Sequence, residues 1–172
     1  MSENVYPEAF VKILKDGFIE LGSMYGLSLS SSSESTINFE HICFFALISS
    51  HFSGFIGLQI SRELLLESAP IDLITDEDFA NWNKELLNAY SGVLKKEFIK
   101  YGIKSSISIP GDISAKQFAG FEKGVGPIEK IYLSTEQGNL LCKLSFSLSR
   151  FFKLEKDAAY QESDKPSAGI VF

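Results

Sequence analysis

From residue 41 to residue 61 the chain runs through 21 residues without a formal charge, and this stretch limits its possible folds more than any other. Nominally it is long enough to cross a bilayer. Its centre, however, reads Ser49-Ser50-His51-Phe52-Ser53-Gly54, polar and turn-forming where a spanning helix would stay apolar. The flanks, 42–48 and 55–60, are rich in β-branched and aromatic residues and have the length of strands. An antiparallel hairpin is therefore expected, with no membrane insertion.

The rest of the chain can be read around that hairpin. Phe10, Ile13, Leu14, Phe18 and Leu21 recur at helical intervals, with Gly22 and then Gly26 as stops. Residues 28–36 hold six Ser and one Glu and read as a solvated loop. A short helix over 61–68 ends before Pro70. The strongest element spans 76–101, where Thr75 or Asp76 can cap the start and Glu77 and Asp78 suit the helix dipole. Phe79, Trp82, Leu86, Tyr90, Val93, Leu94 and Tyr101 share one side of it, and Gly102 supplies the stop. Residues 104–109 alternate polar and apolar before Pro110-Gly111, and 128–134 with 140–148 form a second hairpin. A helix followed by strands thus occurs twice, which hints at an internal duplication. The fold class expected is α+β: one domain over 1–150, an antiparallel sheet with a long helix packed on one face. Residues 151–172 form a C-terminal tail, partly ordered from Lys153.

Composition removes most familiar chemistry. With only His41, His51, Cys43 and Cys142, a zinc finger, a disulfide scaffold and a His-rich metal centre are excluded. Each cysteine sits in an apolar run and reads as a small buried hydrophobe. His51 reads as a turn residue rather than a base, and His41 is equally unremarkable. A net charge of −6 speaks against nucleic acid as a partner. The first twenty residues carry Glu3, Glu8 and Asp16 and do not resemble a signal peptide, so a cytoplasmic protein is expected. There is no phosphate-cradling Gly-x-x-x-x-Gly-Lys, no dinucleotide fingerprint and no Gly-x-Ser-x-Gly elbow.

The polar side of the long helix is more informative. Opposite the apolar arc it displays Asn81, Glu85, Asn88, Gly92, Lys95 and Ile99. Glu85 and Asn88 are three apart and project from adjacent turns. An amide can both donate to and accept from a water and so hold it for attack, while a carboxylate can pair with a cation on a partner. Orienting one water is worth on the order of 3 kcal/mol. A Gly on an exposed helical face costs about 1 kcal/mol relative to Ala, and close approach of another backbone would account for Gly92. Yet Glu-x-x-Asn arises by chance in roughly a third to a half of chains this long. A second copy, Glu136 to Asn139, reads as turn chemistry. Taken alone, then, the pair is an ordinary solvated helix face.

Its surroundings change that. The run from Asp76 to Leu94, followed by Gly102 and Ile107-Ser108-Ile109-Pro110-Gly111-Asp112, resembles the CheX-like chemotaxis phosphatases of the CheC/CheX/FliY group. In that family a Glu-x-x-Asn helix, with Gly four residues after the Asn, leads through a Gly into a strand and a Pro. Gly54 and Gly57 before Leu58-Gln59-Ile60-Ser61 also resemble its sheet. The likeness extends over about 8–150 and is strongest over 54–112.

The resemblance implies hydrolysis of the phospho-aspartate of a CheY-like receiver domain. In this role Asn88 positions the water and Glu85 contacts a partner lysine, with Asn81, Gly92 and Lys95 on the docking face. It implies no cofactor of the chain's own, magnesium being held by the partner, and a possible homodimer through the sheet. CheC-like relatives carry a second Glu-x-x-Asn helix near the N-terminus. Here Val11 follows Glu8 by three and Ser23 follows Glu20 by three, so one active face is expected. The residue before the Asn is commonly Gly in the family and is Leu87 here. That residue favours a second reading, a non-catalytic adaptor that binds a receiver domain without accelerating hydrolysis. An unrelated ligand-binding α+β domain is a third.

Overall fold

A computed structural model of the chain describes residues 6–33, 41–124 and 126–155. Within them lie four helices and seven strands. In chain order they are α1 (Glu8–Met24), β1 (Ser30–Ser31), β2 (His41–Ser49), β3 (Phe52–Ile60), α2 (Arg62–Ser68), α3 (Asp76–Ile99), β4 (Ser105–Ile107), β5 (Gly111–Ser114), α4 (Ala115–Glu122), β6 (Glu129–Ser134) and β7 (Asn139–Leu148). The strands form one sheet in the order β1-β6-β7-β3-β2-β4, with β5 also paired to β2. Every pairing is antiparallel, so the α+β class expected from the sequence is the one observed.

The uncharged run folds as the expected hairpin. β2 pairs β3 from Cys43↔Leu58 to Ile48↔Ser53. The Ser49 hydroxyl accepts from the backbone N–H groups of His51 and Phe52 at 3.0 Å each, which closes the turn. The second hairpin, β6 with β7, runs from Glu129↔Leu144 to Ser134↔Asn139. Alternation sends Cys43, Phe45, Leu47, Ile56, Leu58, Cys142 and Leu144 to one face, where they join the main core. α1 and α3 cover that face and pack against each other. Phe18 of α1 stacks on Tyr90 of α3 with centroids 3.6 Å apart, and the Tyr90 hydroxyl donates to the Leu14 carbonyl at 2.7 Å. At one end of this layer the abundant phenylalanines meet: Phe10 lies within 6.0 Å of the rings of Phe52, Phe98, Phe146 and Phe152.

The structure differs from the sequence reading in three places. Ser30 and Ser31, within the expected loop, pair with β6 as an edge strand, and 34–36 of that loop lie outside the described residues. Residues 113–127, where the sequence predicts no element, contain the end of β5 and all of α4. This helix covers the other face of the sheet, where Ile42, Phe55 and Phe118 form a second buried cluster. The long helix is therefore not the sheet's only cover. Finally, Phe152 and Leu154 pack on the main core beyond residue 150, while 156–172 of the expected tail lie outside the described residues. Among the described residues no helix is long and apolar enough to cross a membrane.

Candidate functional site

The candidate site begins with the way α3 is held. A capping box closes its start: the Thr75 hydroxyl accepts from the Asp78 N–H at 3.2 Å, and the Asp78 carboxylate accepts from the Thr75 N–H at 2.8 Å. The Thr75 N–H, the Thr75 hydroxyl and the Ile74 N–H all donate to the Asp78 carboxylate and hold it below its usual range. At the other end Gly102 takes φ 68°, and the Ile103 N–H reaches back to the Phe98 carbonyl at 3.0 Å.

Burial of Phe79, Leu86, Leu87, Tyr90, Val93, Leu94 and Phe98 sets the rotation of the helix. Trp82 and Tyr101, expected on the apolar side, pack half-buried against the main core. The Trp82 indole N–H donates to the Ser68 hydroxyl at 2.9 Å. Asn83 also lies in the buried arc, 0% exposed, and neither of its amide atoms has a hydrogen-bond partner among the described residues.

That rotation turns Asn81, Glu85, Asn88, Lys95 and Ile99 to solvent and leaves Gly92 half-exposed. Neither the Glu85 nor the Asn88 side chain bonds to any described residue. Among the described residues, the one bond at Asn88 beyond the helix pattern is to its backbone carbonyl, which accepts from the Ser91 hydroxyl at 2.6 Å. Leu87 is 0% exposed and belongs to the main core.

A groove of about 510 Å³ lies beside this helix face. One wall is α3, through Asn81, Lys84, Glu85, Asn88, Ser91 and Lys95; the other is Ile107, Ser108, Ile109 and Pro110. The second wall has a definite cause. β4 pairs β2 at Leu47↔Ile107, whereas β5 pairs it at Phe44↔Gly111, so the register steps by one residue between the two. Ser108 is pinned at the step: its N–H donates to the Ala46 carbonyl at 3.0 Å, and its hydroxyl accepts from the Ala46 N–H at 2.9 Å. Ile109 and Pro110 together face the single residue Phe45, the arrangement of a β-bulge. Pro110 has no N–H to give the ladder, and Ile109 stands 90% exposed at the rim.

The groove thus brings Glu85, Asn88, Asn81 and Lys95 onto one wall. It also recruits Lys84, Ser91 and the bulge, which the sequence reading did not single out. Lys84 was within reach of that reading, since it lies one turn before Asn88 on the same stripe; the bulge depends on long-range pairing and has no local signal. Among the described residues no group of His, Cys, Asp or Glu could hold a metal ion. Burial, with Asp112 adding to it, pushes the Cys43 thiol up to about 12, and burial also raises that of Cys142. Neither is a nucleophile at neutral pH. What the arrangement offers is a free carboxylate and a free amide, side by side, open to a large partner.

An all-antiparallel sheet with paired helices on one face, presenting a Glu/Asn groove at one edge, defines a class of α+β domain rather than a single activity. Its fold is that of the CheX and CheC-like chemotaxis proteins. The chain superposes on the chemotaxis protein CheX from Vibrio vulnificus with a TM-score of 0.62 at 14% identity, covering 84% of this chain and 100% of that one. A CheC-like superfamily protein from a Shewanella species gives 0.61 at 14%, over 83% and 99%. CheX in the CheX–CheY–BeF3–Mg2+ complex from Borrelia burgdorferi gives 0.57 at 13%, over 80% and 97%. No family model matches the sequence, and no curated protein matches it at a significant level.

Proposed function

We propose that this chain is a phosphatase for the phospho-aspartate of a CheY-like receiver domain in chemotaxis-type signalling. The observation that carries this reading is the pair itself: Glu85 and Asn88 are exposed, unbonded and on the same wall of the groove. Support comes also from the fold, which is shared with a CheX that forms a complex with CheY and beryllofluoride. Asn88 enters the partner's site, and its amide accepts one water O–H and donates to another acceptor, so that the water oxygen faces phosphorus. Attack forms a P–O bond to that oxygen and breaks the bond from phosphorus to the aspartyl oxygen. The products are an aspartate carboxylate and inorganic phosphate, with the water proton passing to phosphate or solvent. Glu85 pairs with a cation of the receiver and fixes the approach. The partner brings the phosphoryl group and its magnesium, so this chain contributes orientation alone.

The adaptor reading drew on Leu87. That side chain is buried in the main core and does not line the groove, so it leaves the approach to Asn88 open. Phosphate release from a phosphorylated CheY-like receiver separates the two readings. The phosphatase reading expects faster release with wild type and a loss of about a hundredfold in Asn88→Ala, with thermal stability and receiver binding retained. Binding by wild type without any acceleration selects the adaptor, and unchanged hydrolysis by Asn88→Ala sinks the mechanism.

A further inference from the structure

Two lysines stand in the groove beside the proposed catalytic amide. Lys84, Asn88, Ser91 and Lys95 fall within about 60° of one another around α3 and so form one stripe. Lys84 lies one turn before Asn88; Lys95 lies two turns after it, about 10 Å along the axis. Both lysines line the groove, and neither is bonded to a described residue. Together they place positive charge along one wall of the groove in a chain of net charge −6.

We propose that Lys84 and Lys95 are the electrostatic docking residues of this groove, pairing with acidic side chains that ring the phosphorylation site of the receiver domain. The inference rests on the reading above and extends it to how the partner is recognised. A site that presents a phospho-aspartate and binds magnesium must be built from carboxylates, because magnesium takes oxygen ligands and usually one or two carboxylates among them. Such a surface is electronegative around its rim. With Asn88 inserted, Lys84 and Lys95 lie on either side of the insertion point and face that rim. Ser91, short and between them, leaves the stripe open. Glu85 lies off the stripe by about 60° or more and is free for a cation of the partner, so the wall carries a two-sign pattern that sets a single orientation. Charges so placed act mainly on the encounter rate and lose effect beyond a Debye length of about 8 Å at physiological salt.

The test is stopped-flow association with a CheY-like receiver loaded with magnesium and beryllofluoride, at low and at physiological ionic strength. For Lys84→Gln/Lys95→Gln the association rate at low salt should fall about tenfold and its salt dependence should flatten, with dissociation changed by less than about twofold. The charge-reversed Lys84→Glu/Lys95→Glu should fall further. Both are exposed or half-exposed substitutions, and an unshifted thermal midpoint confirms the fold. If the double Gln variant keeps the wild-type rate and salt slope, the lysines are not docking residues, while the Asn88 mechanism still stands. If wild type itself binds no loaded receiver, the phosphatase and adaptor readings fall together with this one.

Discussion

At position 92 the chain accepts a helix-weakening residue that its own packing does not require. A Cβ added to Gly92 would meet nothing within 4 Å, so Ala fits and should stabilise the exposed helix by up to about 1 kcal/mol. On the proposed docking, close approach of a partner backbone one turn beyond Asn88 would give the glycine a use. Gly92→Ala is therefore expected to raise the urea midpoint while weakening receiver binding at least tenfold, as measured by titration with the beryllofluoride-loaded receiver. A stabilised variant that binds as wild type would show that the approach is not tight there. Individual residues also show how far a sequence can be read. Placing Glu85 and Asn88 opposite the apolar arc needs only the helical repeat, and their exposure follows. Asn83 illustrates the limit. Its type argues for solvent and its angular position for the core; position prevails, leaving a buried amide without a partner among the described residues.

Elements marked by local chemistry were legible, whereas those made by distant pairing were not. α3 carries its own start signal in Thr75 and Asp78 and its own stop in Gly102, so its limits follow from neighbours in sequence. Thr75→Ala should cost about 1 kcal/mol at neutral pH, the usual worth of a capping side chain. Asp78 adds a dependence on acidity. Its carboxyl is held below the usual 3.8 mainly by the Thr75 N–H and hydroxyl. The stabilisation is therefore complete above that value and is lost as pH falls through the lower folded one. Below about pH 4 the urea midpoint should therefore fall less steeply in Asp78→Asn than in wild type. An acid slope as steep in the variant would exclude Asp78 as a source. The bulge at Ile109–Pro110 has no comparable local code. It exists because β4 and β5 meet the same strand in registers one residue apart, and only the folded sheet defines that offset.

The whole molecule has two apolar layers of unequal size on opposite faces of one sheet. The larger, under α1 and α3, carries the groove, and the smaller consists of Ile42, Phe55 and Phe118 beneath α4. The larger announces itself in sequence because its helices are long and its strands alternate. α4 spans only eight residues, with few apolar positions beyond Phe118 and Phe121, and its partners Phe55 and Lys143 lie far off in sequence. Contacts to the sheet anchor it: Phe118 edges onto Phe55 at 5.7 Å, and Lys143 reaches both the Phe118 ring and the Glu122 carboxylate at 2.8 Å. Phe118→Ala should therefore remove the anchor at a cost of about 3 kcal/mol, the low end for such a deletion because the short helix can swing outward rather than leave a cavity. Native-state hydrogen exchange should show lost protection in 115–122 with α1, α3 and β2–β3 still protected. Phosphate release from the receiver should be unchanged, since α3 lies across the sheet from the lesion. Loss of protection in α3 at the same rate would mean that the two layers fold as one unit and that the groove depends on both.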